Sequence, residues 1–245
     1  MSAYGHPAFA PYLDLLACLK GRQDLDALNA VAQALDVHHA HSGAAVRFAA
    51  SSAMPAAQYE LSIAAGGIVP TREGNLHDFL NALAWMRFSR LKSALNLRHC
   101  RVLQAQPQEE KKRGRLRDRL TLLDESGMLV ACAEPELLEL LRAKRWMELF
   151  WDARQAVVHH MRFFVVGHGL LEKCLAPFPG MTAKCLLLHT PETEADAIDR
   201  LAAATVLEAR MPELPPLPIQ GIPGWDAGQG PAYYANTAIF RPARA

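Results

Sequence analysis

Two short apolar segments constrain the fold of this chain more than any other feature. Met161–Val166 and Met181–His189 are rich in apolar residues, and both are far too short to span a bilayer. Apolar segments of this length, bounded by glycine or proline, predict buried strands. Segments with helical spacing surround them, such as Ala195–Leu207. A few strands among many helices predict an α+β fold with a mixed sheet.

The chain length fits one domain around this sheet. With 245 residues, it is long enough for one large hydrophobic core. We expect a single α+β domain over residues 1–245, in which residues 1–74 form an N-terminal extension. That extension is predicted to contain helices and two strands, Ala45–Ala49 and Gln58–Ile63, because apolar and polar residues alternate there.

Later segments carry distinct turn and proline signals. Leu120–Asp124 and Met128–Cys132 flank Glu125–Gly127, a pattern that predicts a β-hairpin. The basic segment before it, Pro107–Arg119, predicts an exposed loop. Proline removes backbone donors, so Pro212–Trp225 is expected to be neither a helix nor an inner strand. Its apolar content predicts a C-terminal strap that packs on the domain.

Composition narrows the classes of partner and compartment. A formal net charge of +1 gives no general attraction to nucleic acid or to a membrane surface, so we expect neither as a partner. Five cysteines without a C-x-x-C pair predict free thiols in a reducing compartment. The N-terminal residues lack a charged stretch followed by an apolar one, so no export signal is expected. A cytoplasmic location follows as an expectation, and a small molecule remains an open partner class.

The segment from Asn75 to Gln104 predicts a helical hairpin with its junction near Phe88 and Ser89, where Ser89 is expected to cap the second helix. Each predicted helix carries an apolar stripe and a separate polar stripe. The polar stripes contain His77, Asp78, Asn81 and Trp85 on the first helix, and Lys92, Asn96 and His99 on the second. Outward faces usually collect Lys, Glu and Arg, so these stripes predict a partly covered groove between the two helices.

Each polar residue also has a structural explanation. Asn75 and Asp78 fit a helix cap, and Asn81 and Asn96 could fix neighbouring loops through hydrogen bonds to the backbone. The histidines could be half-buried groups with satisfied nitrogens. Both explanations stay open at this stage.

A second candidate site lies where a predicted strand ends in Gly167-His168-Gly169. Backbone N–H groups at such a turn favour an anion, so Gly167 and Gly169 are candidate ligand-binding residues. His168 and Glu172 stand at i, i+4, a spacing that lets two side chains reach one metal ion. Together with His77, Asp78 and His99 they form a candidate set for a divalent metal. The alternative is that His168 bonds its own carboxylate and fixes the turn.

Other charged residues give weaker signals. Arg117 could reach a shared site or form a solvated ion pair with Asp118, and Asp124-Glu125 is expected to shape the predicted turn. The basic run Lys111–Arg117 lacks interleaved aromatic residues, which favours a solvated loop over an RNA site. The chain contains none of the G-x-S-x-G, Walker-type, G-x-G-x-x-G or H-E-x-x-H motifs.

Several motifs, taken in order, resemble one bacterial family of unknown function, DUF3025. They are Asn75–Trp85, Lys92–His99, Arg117–Gly127, Gly167–Lys173, Gly221–Trp225 and Ala238–Pro242. The chain departs from the pattern at Ser89, where a proline is expected, and at Asn236, where an aspartate is usual. The resemblance implies a cytoplasmic bacterial protein whose family-like core covers residues 75–245, and it implies no reaction or cofactor.

Two functions fit these residues. The first is a metal-assisted hydrolase in which His77, Asp78, His99, His168 and Glu172 supply metal ligands. In that function His77, Asp78, Lys92 and Arg117 are the candidate catalytic residues, with Asn81, Asn96, Gly167 and Gly169 binding the ligand. The second is a non-catalytic binding or scaffold protein, in which the same polar residues form a structural hydrogen-bond network.

Overall fold

The computed structural model describes residues 3–52, 54–105 and 114–243. Its α-helices are α1 (Leu13–Leu19), α2 (Leu25–Ala34), α3 (Ala56–Gly66), α4 (Leu76–Arg87), α5 (Ser89–Ala105), α6 (Arg115–Ser126), α7 (Pro135–Arg142), α8 (Arg154–His160), α9 (His168–Lys173), α10 (Ala195–Leu207) and α11 (Pro231–Tyr234). Its strands are β1 (Arg47–Ala50), β2 (Ile68–Thr71), β3 (Gly127–Cys132), β4 (Met161–Val165), β5 (Thr182–His189) and β6 (Pro216–Pro218). Short 3-10 turns cover Pro7–Tyr12 and Ile219–Gly221, and a π-helical turn covers Glu148–Asp152.

A four-stranded mixed sheet forms the centre of the fold, in the order β4-β3-β5-β6. β3 runs parallel to β5 and antiparallel to β4, and every residue of β3 is buried. A strand buried on both faces needs apolar residues throughout, which β3 has in Met128–Cys132. The predicted α+β fold and the two predicted buried strands, now β4 and β5, are confirmed.

The predicted helical hairpin is confirmed as α4 and α5, which meet at Phe88. The Asn75 side chain accepts a hydrogen bond from the Asp78 backbone N–H, and so caps α4 as expected. The start of α5 differs from the prediction, because Ser89 is already its first helical residue. The buried carboxylate of Asp199 on α10 instead accepts the backbone N–H groups of Arg90 and Leu91.

The predicted hairpin after residue 119 is wrong, since residues 115–126 form α6 and run directly into β3. Leu116, Leu120 and Leu123 fall at i, i+4 and i+7, and this helical period prevails over the short alternation read as a strand. Gly127 has φ −77, so it continues into β3 as extended backbone and makes no turn. Of the predicted loop Pro107–Arg119, residues 107–113 lie outside the described residues, and residues 115–119 are helical.

The second predicted N-terminal strand, Gln58–Ile63, is also wrong, because α3 occupies that segment. A strand would place Tyr59, Leu61 and Ile63 on one face, whereas the helix exposes 48% of Leu61 and buries Ile63. The predicted strand at residues 45–49 corresponds to β1, which pairs in parallel with β2 across α3. Gly67 ends α3 at φ +67, and a Cβ there would meet the Ala45 carbonyl oxygen at 2.5 Å.

The proline-rich C-terminal strap packs on the sheet as predicted. β6 pairs antiparallel with β5 at the edge of the sheet, where missing proline donors are tolerated. The strap is also fixed by the Cys185 N–H, which donates to the Pro215 carbonyl at 2.9 Å. Further on, the Trp146 indole N–H donates to the Arg241 carbonyl at 2.9 Å.

All five cysteines are free thiols, and four of them are buried. Within the described residues, every helix is too short or too polar to cross a bilayer.

Candidate functional site

The predicted polar residues gather around a pocket of about 380 Å³. Helices α3, α4, α5, α6 and α9 each contribute side chains to it. The lining includes six predicted residues, which are His77, Asp78, Asn81, His99, Arg117 and His168. It also includes polar residues that were not predicted as site residues, among them Tyr59, Glu60, Asp124 and Glu125. The segments on which those predictions rested therefore do meet at one pocket.

Two imidazoles and one carboxylate form the tightest group in this pocket. The rings of His77 and His168 have centroids 4.4 Å apart and are nearly perpendicular. Glu125 lies between them, with Oε2 3.9 Å from His77 Nε2 and Oε1 3.5 Å from His168 Nε2. One ligand atom from each of the three residues lies within 4.8 Å of the other two, a spacing that a metal ion could bridge.

The outer nitrogens of both histidines face further carboxylates. His77 Nδ1 is 2.9 Å from Glu172 Oε2, which leaves Nε2 as the nitrogen that faces the pocket. His168 is buried, and its Nδ1 lies 4.0 Å from Asp124 Oδ2 without a hydrogen-bond partner in the described residues. A carboxylate behind a histidine fixes the tautomer and the orientation of the ring. Glu172 therefore contacts the Nδ1 side of the His77 ring, away from the pocket, and is not part of the group formed by His77, Glu125 and His168.

Asp124 is held in turn by Lys92, which is buried on α5. The Lys92 ammonium group contacts the Asp124 carboxylate and also donates to Asn81 Oδ1 at 2.8 Å. Burial opposes ionisation of Asp124, but the charges of Lys92 and His168 prevail and lower the pKa of its carboxyl below the ordinary value. The ammonium also lies 5.6 Å from the ring centroid of Trp85. Lys92 thus supports the pocket from behind and does not line it.

A second carboxyl group, Glu60 on α3, faces the pocket in a different environment. Asn96 Nδ2 donates to Glu60 Oε2 at 2.6 Å, and Asn96 Oδ1 is 3.2 Å from His39 Nε2. Burial raises the pKa of Glu60 to about 7, and the Asn96 hydrogen bond offsets part of that rise. Asn96 therefore orients a carboxyl that exchanges its proton near neutral pH, and does not itself line the pocket.

The remaining predicted residues have other partners. Asp78 forms a salt bridge with Arg72, whose backbone N–H also donates to it at 2.7 Å, so its carboxylate is turned away from the histidine pair. The Gly167 N–H donates to the Gly127 carbonyl at 3.0 Å and is therefore not free for an anion. A Cβ on Gly169 would lie 2.8 Å from Glu125 Oε2, which shows how closely α9 approaches that carboxylate. His99 lines the same pocket and contributes to lowering the pKa of Asp124.

The residues that α6 contributes to the pocket, of which only Arg117 was predicted, share one recognisable signal. Arg117, Thr121, Asp124 and Glu125 fall at i, i+4, i+7 and i+8, and all four line the pocket. Treating residues 120–124 as a strand placed alternate residues on opposite faces and so concealed this polar stripe. Had the leucine period been followed, the sequence would have indicated a third polar helix face.

Comparison with known proteins defines the family of the chain. No curated protein and no solved structure gives a significant match. The family described as "Protein of unknown function (DUF3025)" matches residues 46–244, which include all the residues that line the pocket. Since this match covers most of the sequence, the chain belongs to the DUF3025 family.

Proposed function

We propose that this protein is a metal-assisted hydrolase whose metal ion is held by His77, Glu125 and His168. The observation that carries the proposal is the convergence of these three side chains at the edge of a polar pocket. Two imidazoles and one carboxylate are a known zinc set that leaves a fourth position for water. Bound there, the metal would lower the pKa of that water and polarise the scissile bond.

The separations between the candidate ligand atoms approach those around a bound metal ion. Ligand atoms about 2.0–2.1 Å from a tetrahedral zinc ion lie about 3.3 Å from one another. Glu125 oxygens lie 3.5 Å from His168 Nε2 and 3.9 Å from His77 Nε2. These two distances come from different Glu125 oxygens, and the set of one ligand atom from each residue lies within 4.8 Å. Binding one metal ion would therefore require the three side chains to close by up to about 1.5 Å.

The carboxylates behind the histidines support the same proposal. Metal-bound histidines usually donate their second N–H to a carboxylate, carbonyl or water. Glu172 is placed to accept that bond from His77, and Asp124 faces the corresponding nitrogen of His168. The original candidate set is changed accordingly: Glu125 replaces Glu172 as a ligand, and Glu172 becomes a positioning residue. Asp78 and His99 are not needed as ligands.

The metal site is tested with protein purified without an affinity tag. Elemental analysis and calorimetric titration with Zn²⁺ are expected to give one tightly bound metal ion per chain. His77→Ala and His168→Ala should abolish that binding, whereas Glu172→Gln should weaken it by about 10- to 100-fold. His159→Ala is the matched control, because His159 is exposed and lies outside the pocket. Absence of metal binding, or binding that survives both histidine substitutions, overturns the proposal.

Hydrolysis itself is measured with chromogenic nitrophenyl phosphate and nitrophenyl acetate. Turnover of either ester should require the metal, stop on chelation and return when Zn²⁺ is added. Turnover that is unaffected by chelation would contradict a metal-assisted reaction.

One observation favours the alternative, a non-catalytic protein with a structural polar network. Lys92, Asn81 and Asp124 form a connected and largely buried group that links α4, α5 and α6. A network role for the whole pocket predicts that His77→Ala and Asn81→Ala both lower the melting temperature by several degrees. If the pocket binds a metal, only Asn81→Ala should lower the melting temperature of the metal-free protein. His77→Ala should leave it almost unchanged, because about one third of the His77 side chain is exposed.

A further inference from the structure

The wall of the pocket formed by α3 and α6 carries a cation without a carboxylate partner. Arg117 lines the pocket, and within the described residues it forms no salt bridge. Its Nε is buried and has no hydrogen-bond partner there. An arginine that is partly buried and uncompensated leaves its donors open to a ligand, since each unsatisfied buried donor is unfavourable.

Two hydroxyl groups that line the same pocket as Arg117 are also available as donors. Thr121 stands at i+4 on the same helix and lines the same pocket, and its hydroxyl has no hydrogen-bond partner in the described residues. The Tyr59 hydroxyl oxygen accepts a hydrogen bond from Asn81 Nδ2 at 2.9 Å, so its own hydrogen remains to be donated. Burial raises the pKa of Tyr59 above its ordinary value, which keeps that hydrogen in place.

The other charged groups of the pocket already have partners. Arg72 forms a salt bridge with Asp78, Lys92 forms one with Asp124, and the Glu125 carboxylate lies against His77 and His168. Arg117 and Glu60 remain on this wall, and Glu60 is neutral when it carries a proton. In that state Glu60 no longer opposes the charge of Arg117, and the Glu60 O–H becomes a further donor.

We propose that Arg117, Thr121 and Tyr59 form a subsite for a tetrahedral oxyanion, the phosphoryl group of the substrate, and that Glu60 takes up a proton from solvent when the anion binds. The proposal deepens the hydrolase proposed above and rests on it, because it names the substrate class as phosphorylated. Donors from two helices that line one pocket can surround a tetrahedral anion, whereas a planar carboxylate presents only two oxygens.

The surroundings of Glu60 set the pH range of this coupling. The charged or titratable groups near its carboxyl include Lys92, His99 and Cys100 on α5, Arg117 and Asp124 on α6, and Tyr59 on its own helix. Burial outweighs the nearby cations and raises the pKa of Glu60 to about 7. The fraction of protonated Glu60 in the free protein therefore falls from about nine tenths near pH 6 to about one tenth near pH 8.

Calorimetric titration of the chelator-treated, full-length protein with sulfate tests the subsite. Sulfate is a suitable probe because, unlike inorganic phosphate, it does not itself titrate in this range. We expect sulfate to bind about tenfold more tightly near pH 6 than near pH 8. Glu60→Gln should retain binding at both pH values and lose most of this pH dependence, which separates Glu60 from the histidines of the pocket. Acetate should bind much more weakly than sulfate.

Variants on α6 decide whether the named donors hold the anion. Arg117→Gln should weaken sulfate binding by about 10- to 100-fold, and Thr121→Val by a smaller factor. Arg115→Gln is the matched control, because it removes the same charge from an exposed position on the same helix. Failure of the wild-type protein to bind sulfate, or equal binding by Arg117→Gln and Arg115→Gln, overturns the subsite. If Arg117→Gln does not fold, Thr121→Val and Arg117→Lys provide the same comparison.

The two proposals fail separately. Sulfate binding is measured without metal, and Zn²⁺ binding is measured without sulfate. A protein that binds sulfate through Arg117 but no metal keeps the subsite and loses the hydrolase. A protein that binds Zn²⁺ through His77 and His168 but no sulfate keeps the metal site and loses the phosphorylated substrate class.

Discussion

Replacing Glu60 with glutamine offers a quantitative test of the pocket that requires no substrate. Burial raises the pKa of the Glu60 carboxyl from an ordinary value of 4.5 to about 7 in the folded protein. Between these values the folded protein keeps the proton and the unfolded chain releases it. The free energy of unfolding must therefore fall as the pH rises from about 4.5 through about 7, and the full cost is present above that range.

The magnitude follows from the same two values. Their difference, at about 1.4 kcal/mol per pH unit, corresponds to about 3 kcal/mol. Glutamine keeps an oxygen that can accept from Asn96 and never ionises. We therefore expect Glu60→Gln to be close to wild type in unfolding free energy near pH 4.5 and more stable by up to about 3 kcal/mol near pH 8.

Urea unfolding at a series of pH values, followed by tryptophan fluorescence, measures this difference. Glu73→Gln is the matched control, because Glu73 is exposed and lies outside the pocket. Its curve should stay parallel to that of the wild type. Parallel curves for Glu60→Gln and the wild type would refute the assignment of a buried, proton-carrying carboxyl at this position.

Three further substitutions test the supports of the pocket by urea unfolding. Lys92→Met removes the cation that the Asp124 carboxylate contacts and should lower the free energy of unfolding by about 3 kcal/mol. Adding Asp124→Asn in a double variant should recover part of that loss. Equal losses in the single and double variants would contradict the pairing. Asp199→Ala leaves two backbone N–H groups at the start of α5 without their acceptor and should lower the free energy of unfolding by about 2 kcal/mol. An unchanged free energy of unfolding would show that water replaces the carboxylate. Gly167→Ala places a Cβ 2.3 Å from a backbone nitrogen at the start of β3 and should lower the free energy of unfolding by about 2 kcal/mol or more. Gly180→Ala, whose Cβ would have its nearest contact at 3.8 Å, should leave it almost unchanged. Similar effects of the two substitutions would refute the close approach at Gly167.

The parts of the fold that were predicted correctly are the long segments with a regular helical spacing and the short segments made almost entirely of apolar residues. These parts are the hairpin of α4 and α5 and the strands β4 and β5. Each buries apolar side chains that a different secondary structure would leave exposed. The segments at α3 and α6 were misread because the stretches taken as strands, Gln58–Ile63 and Leu120–Asp124, fit both a strand period and a helix period. Leu61 illustrates the reason, since its exposure depends on neighbours distant in sequence.

The candidate site was predictable only in part. His77 and His168 stood in unusual local sequences and could be singled out, but their separation of about ninety residues left their meeting to tertiary structure. Glu125 and Asp124 looked like turn residues as long as the following glycine appeared to make a turn. Glu60 gave no local signal, because its altered proton affinity comes from burial beneath α5 and α6, which no local pattern encodes.

The direct passage from α6 into β3 limits how the candidate metal centre can move. Glu125 sits two residues before the most enclosed strand of the sheet, with no intervening loop to act as a hinge. His168 likewise follows β4 after two residues. Two of the three proposed metal ligands are thus fixed next to the central sheet, so we expect any change in the shape of the pocket to come from α3, which contributes Tyr59 and Glu60 to its lining.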